Sequence, residues 1–416
     1  FEKIFKVYKV MFNFIPNRLA LIVLVSACSI IFISMGLRQT FGLFFEDFEK
    51  GLGATRTEFG LAIGIQMLFW GIFAPIFGVI ADKLGGNKAV FIGFVIFGLG
   101  VYMLYAGPNT GIFFQISLGI LVGIALGATA IGVPVSEVGK HFPNESRTIA
   151  TGIVTAAASV GYFLSPLFTK YSLGLVGWEQ TLKYFMYFIA LGLLASLFLL
   201  PSKTILNSSQ VDREQTFSSA IKEAFSHKGY LLLNAGFFVC GFQIQFMYTH
   251  LPAFIEDGGL TLSFAAKAMI LLSIFNMAGA WTAGFLGDRY RKKYLLAGIY
   301  ILRALFITIF TLLPSSEFSI LIFCACIGFI WLGTVPLTSG IIAQLFGPAF
   351  MSTLFGIVYL GHQMGNFMGA WIGGLIFDVT GTYHLAWWLA VLLSVFAALI
   401  HLLLRDEPVQ RLSKNT

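Results

Sequence analysis

A chain of 416 residues that is 57% hydrophobic and 11% charged, with mean hydropathy +0.86, is poorly suited to coating a water-soluble globule. Soluble domains carry about 25% charged residues. Lipid is therefore its natural solvent, and at about 20 apolar residues per crossing, roughly 35 with a loop, the length accommodates about twelve membrane helices. The net charge of +7 would admit nucleic acid only if the bases formed one patch, and they do not.

In chain order, residues 1–14 place Phe1, Ile4, Phe5, Tyr8, Met11 and Phe12 on one helical face and Lys3, Lys6 and Lys9 elsewhere. That pattern predicts an interfacial helix within a segment 1–18, rather than a cleavable signal peptide. Spans are expected near 19–43, 58–81, 88–106, 111–134, 147–170 and 181–200. A polar stretch, 201–229, follows. Within it Phe217, Ile221, Ala224 and Phe225 recur at helical spacing, which predicts a linker carrying a surface helix. Six more spans are expected near 230–254, 264–286, 294–313, 318–342, 351–376 and 383–404, with a tail over 405–416. The chain thus reads as an all-α membrane protein of two six-helix halves, 19–200 and 230–404.

With both ends on one side, Lys83, Lys88, Lys140, Arg147, Arg289, Arg291, Lys292, Lys293 and most other bases share that side. Lys50, Arg56, Lys170, Lys183 and Lys267 fall on the other, and Arg38 and Arg303 fall inside spans. The bias places both termini in the cytoplasm. Cys28, Cys240, Cys324 and Cys326 all lie in spans, and their spacing implies neither a disulfide frame nor a metal site. No phosphate-binding Gly-Lys-Ser/Thr loop occurs, so no enzyme activity, metal or cofactor is expected. Glycines at 361, 365, 369 and 373 line one helix face and predict close packing.

Two short charged turns recur half a chain apart. The first runs Gly78-Val79-Ile80-Ala81-Asp82-Lys83-Leu84-Gly85-Gly86-Asn87-Lys88, the second Gly284-Phe285-Leu286-Gly287-Asp288-Arg289-Tyr290-Arg291-Lys292-Lys293. They resemble the signature of the major facilitator superfamily, with Arg291 standing where the pattern has Gly. The resemblance covers essentially the whole chain and implies a secondary transporter that alternates access between the two halves. Gly36-Leu37-Arg38-Gln39-Thr40-Phe41-Gly42-Leu43-Phe44-Phe45 and His141-Phe142-Pro143-Asn144-Glu145-Ser146-Arg147 resemble the monocarboxylate-transporter and oxalate–formate exchanger group more narrowly. Members that carry small carboxylates have an Arg in the eighth helix. Here that stretch reads Asn276-Met277-Ala278-Gly279-Ala280-Trp281, which points away from a simple short carboxylate.

Arg38 is the sharpest candidate for substrate binding, because an intramembrane Arg faces a cavity or a partner and can hold a carboxylate through two N–H groups. Glu46 and Asp47 lie about two helical turns away. Gln39, Gln243, His250, Asn276, Tyr359, His362, Gln363 and Asn366 are expected to orient the substrate, with Trp281, Trp331 and Tyr162 as possible padding. No Asp or Glu falls near the middle of a span, so His250 and His362 are the candidates for carrying a proton. Counter-exchange, or a substrate that brings its own proton, is the alternative. Asp82, Lys83, Glu137, Arg147, Asp288 and Arg289 are expected to form gates, and Arg303 to serve structural pairing. The expected partners are a small organic anion and the bilayer, for a monomer in a bacterial inner membrane. A carrier of amphiphiles such as drugs or siderophores, and a sensor that does not transport, are the competing readings.

Overall fold

The computed structural model describes residues 15–44, 56–107, 111–200, 216–314 and 316–413, and among these the regular structure is entirely helical. The interfacial helix expected over 1–14, and Glu46 and Asp47, lie outside the described residues. Among the described residues ten helices are long and apolar enough to cross a bilayer. One of them, Asn144–Leu197, is 54 residues long and folds back at Gly177, so it makes two passes. Met351–Thr380, at 30 residues, is a further crossing, for twelve in all.

The sequence predicts a loop between spans 5 and 6, but the chain reverses inside helix geometry. Gly177 takes φ 77°, a conformation side chains resist, and this single residue turns the chain. Ser172 and Thr181 then share a hydroxyl hydrogen bond at 2.8 Å across the hairpin. Elsewhere the ends are set by short polar caps. Asn17 accepts from the Ala20 N–H at 2.9 Å to start Arg18–Thr40, and Ser316 opens Glu317–Phe329 with a capping box.

Spans 4 and 10, which occupy matching places in the two halves, are both broken. Span 4 passes through a π segment, Gln115–Leu121, and breaks between Val122–Thr129 and Gly132–His141. Span 10 breaks between Glu317–Phe329 and Thr334–Phe346. Backbone freed inside a membrane must find new partners. In span 4 the Ser34 hydroxyl donates to the Thr129 carbonyl at 2.8 Å. In span 10 the Arg303 guanidinium donates to the Ile330 and Trp331 carbonyls at 3.2 and 2.5 Å, and Asn276 Oδ1 accepts from the Leu332 N–H at 3.0 Å.

Spans 1 and 5 pack together in the first half, and spans 7 and 11 in the second. The glycine face at 361, 365 and 369 lies directly against span 7, as its spacing predicts. Between the halves, span 2 meets span 11 and span 5 meets span 8. Apolar side chains such as Leu99, Leu191 and Leu392 cover the outer surface, which suits contact with lipid. The linker helix Phe217–Ser226 buries Ala220 and Ala224, and Phe217 touches both Phe350 and the Lys83 ammonium. It therefore rests at the end of the molecule that carries the charged turns, called here the basic end.

Candidate functional site

Arg38 ends the first span half-buried, beside the second half of the molecule. Its Nη2 donates to Met67 Sδ at 3.3 Å, and its guanidinium stands 5.2 Å from the Trp70 ring centre. Its Nε is buried without a hydrogen-bond partner among the described residues. Tyr162, Tyr248 and Tyr359 are all close enough to act on the guanidinium electrostatically. These rings come from spans 5, 7 and 11, so both halves contribute to one aromatic enclosure.

The enclosure carries spare hydrogen-bonding capacity. Tyr248 packs on Tyr162 and on Trp331, with ring centres 6.3 and 5.6 Å apart, and both its hydroxyl and Trp331 Nε1 are buried and without a partner among the described residues. An unsatisfied buried donor costs about 1–3 kcal/mol, so several at one place mark a position for a polar ligand or water. Tyr359 lies between Trp70 and His362, at 5.4 and 5.2 Å. Asn366 Nδ2 donates to Gln363 Oε1 and comes within 3.4 Å of His362 Nδ1. Gln363 Nε2 reaches Met67 Sδ at 3.8 Å, so one thioether lies between the Arg38 and Gln363 side chains. Among the described residues Asn366 Oδ1 has no hydrogen-bond partner, and His362 Nε2 has none but the Cys240 thiol, which lies beside the His362 ring.

Arg38, Tyr359, His362, Gln363 and Asn366 are thus brought together. Gln243 and His250 are not. Gln243 donates to the Ala390 carbonyl and Ser394 hydroxyl of span 12 and accepts from Arg303 at 3.0 Å. His250 is held by the Ala370 carbonyl at 2.8 Å and the Tyr383 hydroxyl at 3.3 Å. Both hold the second half together. Asn276 is fully buried and donates to Ser159 Oγ at 2.9 Å, joining span 8 to span 5. Gln39 is half-buried, about 100° around its helix from Arg38. Trp281 is 38% exposed and stacks on Phe285, away from the enclosure. Met67, Trp70 and Tyr248 complete the site and carry no sequence signal that separates them from packing residues.

Arg303 is buried with no carboxylate partner among the described residues. Carbonyls, Gln243 and the Cys240 sulfur at 3.7 Å surround it.

At the basic end each charged turn caps a helix of the opposite half. Asp82 accepts from the Ser352 and Thr353 N–H groups at 3.3 and 2.7 Å, at the start of span 11. Asp288 accepts from the Thr148 and Ile149 N–H groups at 2.9 and 2.7 Å, in the first turns of span 5. A carboxylate at a helix N-terminus meets unpaired donors and the positive end of the dipole. Burial lifts the Asp288 carboxyl above the usual carboxylate range, against the pull of these donors. Lys140 binds Asp82 at 2.7 Å, Glu137 at 2.6 Å and the Ser352 hydroxyl at 3.0 Å. Its spacing of three from Glu137 is the one sequence clue to its place. Arg147 donates to the Gly139 carbonyl and Asn144, and acts electrostatically on Asp288. Lys83 lies over Phe217, and Arg289 is exposed and folds onto Phe285, so neither bridges the halves here.

This arrangement, two broken-helix halves each capping the other at one end with polar and aromatic side chains of both halves meeting between them, is one found in secondary transporters. The profile of the Major Facilitator Superfamily matches residues 27–353 and, in a second alignment, 268–416, and the chain belongs to that family. It is 24% identical over 381 residues to the uncharacterized MFS-type transporter YcxA of Bacillus subtilis, covering 88% of this chain and 90% of that protein. It is 25% identical over 361 residues to monocarboxylate transporter 13 of Rattus norvegicus, covering 84% and 80%. Its fold superposes on the Major Facilitator Superfamily transporter FucP in the outward conformation, with a TM-score of 0.74, 16% identity and coverage of 93% and 100%.

Proposed function

We propose that this secondary transporter moves a small polar organic carboxylate across the bacterial inner membrane, as a monomer with both termini in the cytoplasm. The observation that carries the reading is Arg38, a membrane-embedded cation whose Nε has no hydrogen-bond partner among the described residues, close to Tyr248, whose hydroxyl is equally unpartnered there and whose ring packs on Trp331. Unpartnered donors close to a cation suit an anion with several oxygen atoms. His362, Gln363 and Asn366 lie across Met67 from Arg38, and Asn366 Oδ1, without a hydrogen-bond partner among the described residues, can accept from a substrate hydroxyl or a protonated carboxyl. The similarity to monocarboxylate transporters agrees with a carboxylate, and the lack of a base beside Asn276 favours a substrate with further polar groups. For proton coupling, His362 is the better placed histidine, since both nitrogens of His250 are occupied. The positive-inside bias makes the basic end cytoplasmic, so the state described is closed to the cytoplasm.

In reconstituted vesicles Arg38→Ala should abolish carboxylate uptake while the protein stays folded. Undiminished uptake would remove Arg38 from the site. The aromatic lining, Trp70, Tyr162, Tyr248, Trp331 and Tyr359, favours a second reading, a carrier of aromatic amphiphiles. A panel of labelled carboxylates set against drug and siderophore flux separates the two.

A further inference from the structure

The two gates at the basic end carry opposite charge imbalances. Around Asp82, two carboxylates, Asp82 and Glu137, face one buried ammonium, Lys140. Around Asp288, one carboxylate faces two cations, Arg147 from the first half and Lys292 from the second. The Asp288 oxygens are already committed to the Thr148 and Ile149 N–H groups. Glu145 also acts on Arg147 and Asp406 on Lys292, each from outside the gate. Glu145 is exposed, and Asp406 binds Arg291 and Lys293.

A cavity of about 690 Å³ opens at this cationic gate, a volume typical of small-ligand sites. Asn144, Arg147, Thr148, Lys292 and Gln344 supply its polar wall. The Lys292 stem runs across Gly340, where a Cβ would sit 2.7 Å from Lys292 Cε, so a glycine is what makes room for it. The C-terminal segment forms the far wall with Pro408 and Leu412. It is held there by the Val409 N–H on the Leu345 carbonyl at 3.0 Å and by Gln344 Nε2 on the Asp406 carbonyl at 2.7 Å. The docked segment thus encloses two like charges in one cavity, and an anion entering it would offset their repulsion.

We propose that this cavity is a second anion site, distinct from the Arg38 enclosure, which takes a phosphate oxyanion between Arg147 and Lys292. Because the two cations belong to opposite halves, the bound anion ties the halves together and holds the basic end shut. Opening the gate parts the cations and dissolves the site, so the anion selects the closed state. The phosphate can belong to a free phosphate compound or to a lipid headgroup, and the chemistry of recognition is the same.

The test is thermal unfolding of the purified full chain in detergent, with inorganic phosphate replacing chloride at constant ionic strength. A parallel arm uses phosphate-free nanodiscs of phosphatidylcholine with and without phosphatidic acid. The apparent melting temperature should rise with phosphate, with phosphatidic acid, or with both, and the responding arm names the source. Lys292→Gln and Arg147→Gln should each weaken the response at least about tenfold, as loss of one charge-assisted bond predicts. Without phosphate, Lys292→Gln should be no less stable than the parent, which a purely structural lysine would not allow. No response in either arm, or an undiminished response in Lys292→Gln, overturns the proposal. If neither variant folds, thiol labelling of Gln344→Cys decides. Protection by phosphate or phosphatidic acid supports the site, and equal labelling with and without them refutes it.

Discussion

The two halves repeat one architecture and solve its problems with different chemistry. At the Asp82 turn, Lys140 is buried against two carboxylates and the Ser352 hydroxyl. At the Asp288 turn, one carboxylate stands close to two cations, Arg147 and Lys292, and a cavity remains beside them. The broken helices differ in the same way. A serine hydroxyl satisfies the break in span 4, and a fully buried guanidinium satisfies the break in span 10. A repeated fold therefore fixes where a helix end or a break must be satisfied, and leaves open whether a neutral or a charged group does it. Charge placed at such a position is expensive to bury and costly to remove.

The contrast can be broken most sharply at the gates. Lys140→Met should destabilise the protein by about 3–5 kcal/mol, because it strands Asp82 and Glu137 without a counter-charge. Lys292→Met, the matching change at the other gate, should leave thermal stability in phosphate-free detergent unchanged or slightly raised. Equal losses would mean that the two gates are alike. The breaks give a smaller contrast. Arg303→Met leaves the Ile330 and Trp331 carbonyls unpaired and should cost about 3 kcal/mol, whereas Ser34→Ala should cost about 1 kcal/mol. Equilibrium unfolding in mixed micelles measures both.

The smallest effect concerns the docked C-terminal segment. Burial works to raise the Asp406 carboxyl, and hydrogen bonds from Arg291 and Lys293 overrule it, holding it below the usual carboxylate range. A depressed value means docking is at full strength above the ordinary carboxylate pKa. It weakens as pH falls through that value and is lost below the depressed one. Limited proteolysis of the C-terminal segment should therefore be constant at neutral pH and accelerate only in acid, and Asp406→Asn should show the acid rate at neutral pH.

Much of this was legible from residue order. A lone Arg in an apolar segment has to face something polar, and Arg38 does. Acid–base turns at half-chain spacing have to stand at matching places, and Asp82 and Asp288 do. Helical periodicity was a weaker guide. It placed Gln243 and His250 on a common face without saying which neighbour that face meets, and their partners prove to be Arg303, span 12 and Tyr383. Lys140 looked like one more base on the basic side, because nothing local distinguishes a solvated lysine from one buried across an interface. Met67 and Trp70 looked like core.

Composition and period by themselves determined the solvent, the number of crossings, the two-fold repeat and the two cations embedded in spans, Arg38 and Arg303, because these follow from transfer free energies and helix pitch acting residue by residue. Which polar atoms are spent on packing and which are left for a ligand was decided only when distant segments met. Hydrogen bonding and charge balance are properties of pairs, and the pairs here come from opposite halves of the chain.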